Sequence, residues 1–158
     1  MTQEAKHDGF NVKSKVLKNT LVKPSQELLE IFKMPTKSMV VYLERVRYLN
    51  NEPYGIERSY LNPMLDIRLL SLVEKDFSIL SLYEVLKKEY EINLKYADES
   101  IEIIKLNEKE IKLLEMKNFE YGILRHRYTY IAEGHCIEYV ESIYRGDKYK
   151  LKVKRSSI

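Results

Sequence analysis

The sequence predicts one soluble domain that mixes antiparallel β-hairpins with short capped helices, and three observations carry that expectation. Two stretches, Val40 to Leu61 and Tyr121 to Tyr144, hold Val, Ile, Leu and Tyr at strand density on both sides of a turn signal. Three helix-start patterns stand at Ser25, Ser81 and Asn107. The length of 158 residues suits a single domain, one that buries roughly 70% of its unfolded surface.

Composition narrows the function classes. A formal charge of +3 is too small to imply nucleic-acid binding by itself. No apolar run approaches the ~20 residues needed to cross a membrane, and the first residues, MTQEAKHDGF, lack a signal-peptide core. The single Cys136 cannot form an internal disulfide, which fits a reducing cytoplasm. His7, His126 and His135 lie far apart, so no metal site is expected. There is no P-loop, no Gly-x-Gly-x-x-Gly loop and no G-x-S-x-G elbow, and therefore no catalytic residue or cofactor to name.

The elements follow in order. Residues 1–11 are polar and expected to fray, and Ser14 to Lys23 reads as a first strand. Ser25 caps a short helix whose buried stripe is Leu28, Leu29, Ile31 and Phe32, ended by Met34-Pro35-Thr36. The Val40–Leu61 hairpin comes next. A two-residue loop at Asn50-Asn51 would pair Arg45 with Ile56, whereas a three-residue loop through Glu52 would pair Arg45 with Glu57. The three-residue loop is preferred because it leaves Pro53 at a strand start. Residues 62–77 read as a helical or looping connection.

Ser81-Leu82-Tyr83-Glu84 is a capping box, with Leu80 and Val85 placed as a hydrophobic staple, opening a helix to about Glu91. Ile92 to Leu106 is strand-like, with Ala97-Asp98-Glu99 as a candidate interruption. Asn107 and Glu110 open a helix through Met116. The second hairpin turns through Glu133-Gly134-His135, and Glu138, Val140, Ser142 and Tyr144 share one face of its second strand. The C-terminal KYKLKVKRSSI alternates lysine with Tyr149, Leu151 and Val153. It reads as a lysine-protected edge strand or, alternatively, as a nucleic-acid surface.

One pair of residues conflicts with its surroundings. Arg45 and Arg47 point to the same face of a strand as Val41 and Leu43, the face a sheet buries. An unpaired buried charge costs several kcal/mol, so the pair needs a partner. Glu57 or Glu138 within the sheet would serve, as would solvent at an open face, or an anionic ligand. Guanidinium forks suit phosphate and carboxylate oxygens, and the Ser81 helix end offers N–H groups and a hydroxyl. These contacts together supply about 3–7 kcal/mol of the roughly 8 that micromolar binding requires. Glu57, Glu138 and Tyr144 would suit a polyhydroxylated or amino-bearing remainder.

The ordered set LERVRYLNNEPYGIERSYL, SLYEVLKKEY and RYTYIAEGHCIEYVESIYRGDKYKLKV resembles the UTRA domain of HutC-type regulators in the GntR family of bacterial transcription regulators. That family's pattern runs R-x-R, P-x-x-x-E, S-L-Y, I-E-Y and Y-R-G-D-x-Y, and the resemblance covers about residues 9–155. It implies an α+β fold like that of chorismate lyase, an antiparallel β-sheet flanked by helices. It also implies a cytoplasmic homodimer with a pocket for a small effector, often a phosphorylated sugar. Arg45, Arg47, Ser81 and Tyr83 match the positions that grip the effector's anionic end. Glu57, Glu138 and Tyr144 match those that contact its remainder, while Arg145 and Asp147 belong to a structural turn. In such regulators a winged helix-turn-helix precedes this unit. Residues 1–11 are therefore expected to be a linker remnant and 12–158 the UTRA domain, touching DNA only through the missing part. The shared fold leaves a small chorismate-lyase-like enzyme as the alternative function.

Overall fold

Alternating side chains in six stretches dictate a sheet, and a computed structural model of the chain, describing residues 12–157, has one. Its strands are β1 (Val12–Val22), β2 (Val40–Leu49), β3 (Glu52–Leu61), β4 (Tyr96–Lys105), β5 (Tyr121–Ala132) and β6 (His135–Arg145). They lie in the order β1-β2-β3-β6-β5-β4, every neighbour antiparallel. The helices are short: α1 (Gln26–Phe32), α2 (Leu82–Glu84, continuing as a π-turn over Val85–Glu89) and α3 (Glu108–Leu113). A 3-10 helix, Ile67–Glu74, fills the connection after β3. The α+β expectation holds. The expectation for residues 1–11 lies outside the described residues.

All three predicted caps form. Ser25 Oγ accepts from the Leu28 N–H at 3.1 Å, Ser81 Oγ from Glu84 at 3.4 Å and Asn107 Oδ1 from Glu110 at 2.8 Å. Each satisfies an N–H that a helix start leaves without an intrahelical partner. α2 ends about where its periodicity suggests, and α3 ends earlier. α2 widens into a π-turn, in which Tyr90 N–H reaches Val85 O, and stops where Glu91 takes a φ of 56°. α3 stops at Leu113, because Glu115 adopts a φ of 51° and Met116 N–H folds back to Ile111 O in a Schellman-type end.

The register sorts the two faces. On one, Val41 and Leu43 pack with Leu61 beneath Leu69, Leu72, Phe77, Leu82, Val85 and Leu86 from the 3-10 helix and α2. Full burial of each such side chain contributes about 1.5–3 kcal/mol. Asn19 on β1 anchors this cover, donating to Leu72 O at 3.0 Å and Lys75 O at 3.2 Å. On the other face, α1 packs Leu28, Leu29 and Phe32 against Val40 and Cys136, and the α3 region packs Leu114 and Met116 against Ile56 and Ile143.

Three expectations need correction. The β2–β3 loop has two residues, not three: Asn50 and Asn51 carry φ of 48° and 66°, the conformation that Asn tolerates in a tight primed turn. Arg45 still pairs with Glu57, because the register shifts by one between Arg47↔Gly55 and Tyr48↔Pro53, leaving Tyr54 as a bulge. The strand before α3 begins at Tyr96 and runs unbroken through Ala97, Asp98 and Glu99, each paired to β5. Finally, the C-terminal lysine segment forms no strand. It leaves β6, whose two flanks are already occupied by β3 and β5, so it could reach an edge only by crossing other strands.

Gly55 follows the bulge because the Tyr144 ring lies across it. A Cβ there would stand 2.8 Å from Tyr144 Cδ1 and 3.3 Å from Ile143 O. Gly55→Ala is therefore expected to cost about 1–3 kcal/mol through overpacking. An unchanged urea midpoint would show that the Tyr144 ring moves aside freely.

Candidate functional site

The face that is apolar under α2 turns polar further along each strand. β2 continues from Val41 and Leu43 to Arg45 and Arg47, and both arginines are about 4% exposed. Register carries the polarity across the sheet. Arg45 faces Glu57 on β3, Glu57 faces Ser142 on β6, and Ser142 faces Arg125 on β5. One row over, Leu43, Ser59, Val140 and Arg127 align, and in the next Leu61, Glu138 and Thr129. Above them lie Ser78 to Tyr83 and Lys87, so that sheet and cover enclose a cavity of about 290 Å³.

All seven predicted residues line this one cavity: Arg45, Arg47, Ser81, Tyr83, Glu57, Glu138 and Tyr144. Arg125 and Arg127 line it as well and were not singled out from the sequence. Their R-x-R spacing, in phase with Thr129, was the same signal that marked Arg45 and Arg47. Ile123 stands in phase with them as Val41 and Leu43 do with the first pair.

Two guanidiniums share one carboxylate. Glu57 Oε2 lies 3.2 Å from Arg45 Nη2 and 3.6 Å from Arg47 Nη1. Burial pushes the Glu57 carboxyl up, but Arg47 and Arg45 beside it prevail and hold it below the usual carboxylate range. Burial lowers Arg45, though a guanidinium stays charged at any working pH. Among the described residues Arg45 Nε and Nη1 find no hydrogen-bond acceptor, so a buried cation keeps donors to spare at the cavity wall.

Glu138 behaves differently. It is 1% exposed, accepts from the Tyr83 hydroxyl at 2.6 Å and lies 3.5 Å from Thr129 Oγ1. Burial pushes its carboxyl up to about 7, against the opposing pull of the Tyr83 hydrogen bond and the Arg127 charge. Burial first, and then the Glu138 charge, hold the Tyr83 phenol well above its ordinary value, so Tyr83 remains the donor. Arg127 stacks over the Tyr83 ring at 5.0 Å. The bulged Tyr54 stacks on Tyr144 at 6.1 Å, closing the Gly55 end. The turn after β6 serves as scaffold: Arg145 grips Asp147 through two bonds of 2.9 Å and reaches Pro53 O and Leu114 O.

A raised folded-state pKa gives Glu138 a definite pH signature. Between its unfolded value near 4.5 and about 7, the native state binds the extra proton. Stability therefore falls as pH rises through that window and levels off above it. The span corresponds to about 3 kcal/mol. Glu138→Gln, which keeps the oxygen that Tyr83 needs, is expected to flatten the pH 5–7 slope in urea unfolding and to be more stable than wild type at pH 8.

With this geometry in hand, the chain can be set beside known proteins. The model of the UTRA domain family matches residues 7–150. The HTH-type transcriptional repressor NagR of Bacillus subtilis is 25% identical over 148 residues, covering 94% of this chain and 59% of NagR. The uncharacterized HTH-type transcriptional regulator YydK of the same organism is 21% identical over 150 residues, covering 95% of this chain and 62% of YydK. The chain thus spans about three fifths of the length of these relatives. The effector domain of PhnF from Mycobacterium smegmatis superposes with a TM-score of 0.89 at 22% identity, over 99% of this chain and 94% of that one. The C-terminal domain of the histidine utilization repressor from Pseudomonas syringae pv. tomato gives 0.80 at 20% identity, over 93% and 100%. At such identities the superpositions speak for the fold, and the match along residues 7–150 for descent: the chain belongs to the UTRA domain family, with the fold of effector domains from GntR-type transcription regulators.

Proposed function

We propose that the cavity binds a small anionic effector, most naturally a phosphorylated sugar, and that its occupancy sets how a winged helix-turn-helix outside this chain engages DNA. One observation carries the reading. Arg45 and Arg47 are buried at a cavity wall beside the Glu57 carboxylate, and among the described residues Arg45 Nε and Nη1 have no hydrogen-bond acceptor. A desolvated guanidinium with spare N–H groups favours an anion, each charge-assisted hydrogen bond contributing about 1.5–3 kcal/mol. Ser81 and Tyr83 flank the same wall, and Glu57, Glu138 and Tyr144 offer acceptors and a ring edge to the effector's remainder.

The regulatory half of the reading draws support from the relatives. NagR is a transcriptional repressor longer than this chain, and PhnF has an effector domain of the same fold. Such a unit would act as a cytoplasmic homodimer, in which the effector biases one arrangement of the attached DNA-binding domains over another. The bias can be no larger than the effector's difference in affinity between the two arrangements. A lyase of the chorismate type would instead release pyruvate from chorismate, which a direct assay detects.

A thermal-shift screen of sugar phosphates and organic acids tests the site. Hits are expected to raise the wild-type Tm, with the shift lost or strongly reduced in Arg45→Ala and reduced in Ser81→Ala. Identical responses of wild type and both variants to every hit would overturn the placement.

A further inference from the structure

The sheet has two edges, and only one of them is protected. β1, at one end of the strand order, carries Lys13, Lys15 and Lys18, and its ladder is broken by a register shift between Val16 and Lys18. Lysines and irregularities of this kind keep a free edge from pairing with another chain. β4, at the other end, lacks both safeguards along its length. It pairs with β5 without a shift over all 10 of its residues, and its single lysine is the last one, Lys105. Among the described residues nothing pairs with its outer side. Ile101 and Ile103 on this strand are 42% and 76% exposed, interleaved with Glu99 and Glu102. A long, straight edge with exposed apolar side chains is a template for another strand.

One segment of the chain has the complementary pattern. Beyond Tyr149, which stacks on Tyr144, residues 150–157 form no helix or strand and lie exposed. Lys150, Lys152 and Lys154 alternate there with Leu151 and Val153, the period of a strand that has no partner. Run antiparallel to β4, one register sets Leu151 opposite Ile103, Val153 opposite Ile101 and Lys152 opposite Glu102. Like charges meet nowhere in that register. A slip of one residue in either direction would set lysines opposite both isoleucines.

Within one chain, β5 and β4 itself lie between the end of β6 and that edge. Between two copies no strand intervenes. Arg145, Gly122 and Ile104 share one cross-strand row, so each tail leaves its sheet at the end where β4 finishes. Two copies meeting at those ends would each hand a tail to the other's β4, a reciprocal contact that closes under two-fold symmetry.

We infer that two copies of this chain associate by this exchange, residues 150–156 of each adding as a strand to the β4 edge of the other. The inference rests on the homodimer of the proposed function and names its contact, and it makes no use of the effector cavity.

Sedimentation of the whole chain over a range of concentrations tests it. Wild type is expected to be a dimer. Ile103→Lys in β4, and Leu151→Ser combined with Val153→Ser in the tail, should each raise its dissociation constant about tenfold or more, since every change acts twice per dimer. Glu102→Lys and Lys152→Glu should each weaken the dimer, and the two together should restore it, as direct pairing of these residues requires. All five positions are exposed in the single chain, so the variants should keep the wild-type circular dichroism. A dimer indifferent to the tail variant, as pairing of β4 with β4 would give, or a double charge exchange that restores nothing, overturns the inference and leaves the homodimer standing. A wild type that is monomeric at every concentration overturns both.

Discussion

The structure depends on two buried guanidiniums gathered about a buried carboxylate. Arg45 and Arg47 lie under the sheet beside Glu57, and their charges hold its buried carboxyl ionised. Each charge alone would carry a desolvation penalty of several kcal/mol. Together they tie β2 to β3 in a single register, since a slip of one residue would send both arginines to the opposite face, against Ile56 and the α3 cluster. The sheet's polarity follows from this constraint. Its face is apolar where α2 and the 3-10 helix cover it and cationic where the cavity begins.

The β2–β3 bulge reconciles that electrostatic register with the tightest available turn. Asn50 and Asn51 form a two-residue loop, which taken alone would put Arg45 opposite Ile56. One extra residue, Tyr54, absorbs the mismatch, and its ring stacks on Tyr144 from β6. The bulge thus joins the hairpin to the neighbouring strand as well as correcting its pairing. Arg145, bonded to Pro53 O, Leu114 O and Asp147, holds the same corner from below.

Carboxylates in the cavity divide by environment. Glu57 is charged because cations adjoin it, whereas Glu138 is pushed to about 7 because burial outweighs the Tyr83 and Arg127 contacts. A ligand arriving over Glu138 meets a group that can be acceptor or donor near neutral pH, and an anion arriving over Arg45 meets donors with nowhere else to turn. One small volume therefore holds acceptor, donor and cation, which suits a polyhydroxylated anion better than an apolar guest.

By itself the sequence determined the local structure that depends on near neighbours. The caps at Ser25, Ser81 and Asn107, the two hairpins and the phase of Arg45 with Val41 were legible because caps, turns and alternation act over a few residues. The early end of α3, the bulge at Tyr54 and the unpaired lysine tail were not. Each depends on what packs from a distance: Glu115 turning left-handed as Leu114 and Met116 enter the core, Tyr144 lying over Gly55, and β6 sitting inside the sheet with both flanks taken. The cavity divides in the same way. An arginine pair beside apolar residues is conspicuous in the sequence because its burial poses a problem. The pair at Arg125 and Arg127 carries the same spacing, and only the register across four strands brings it over the same space.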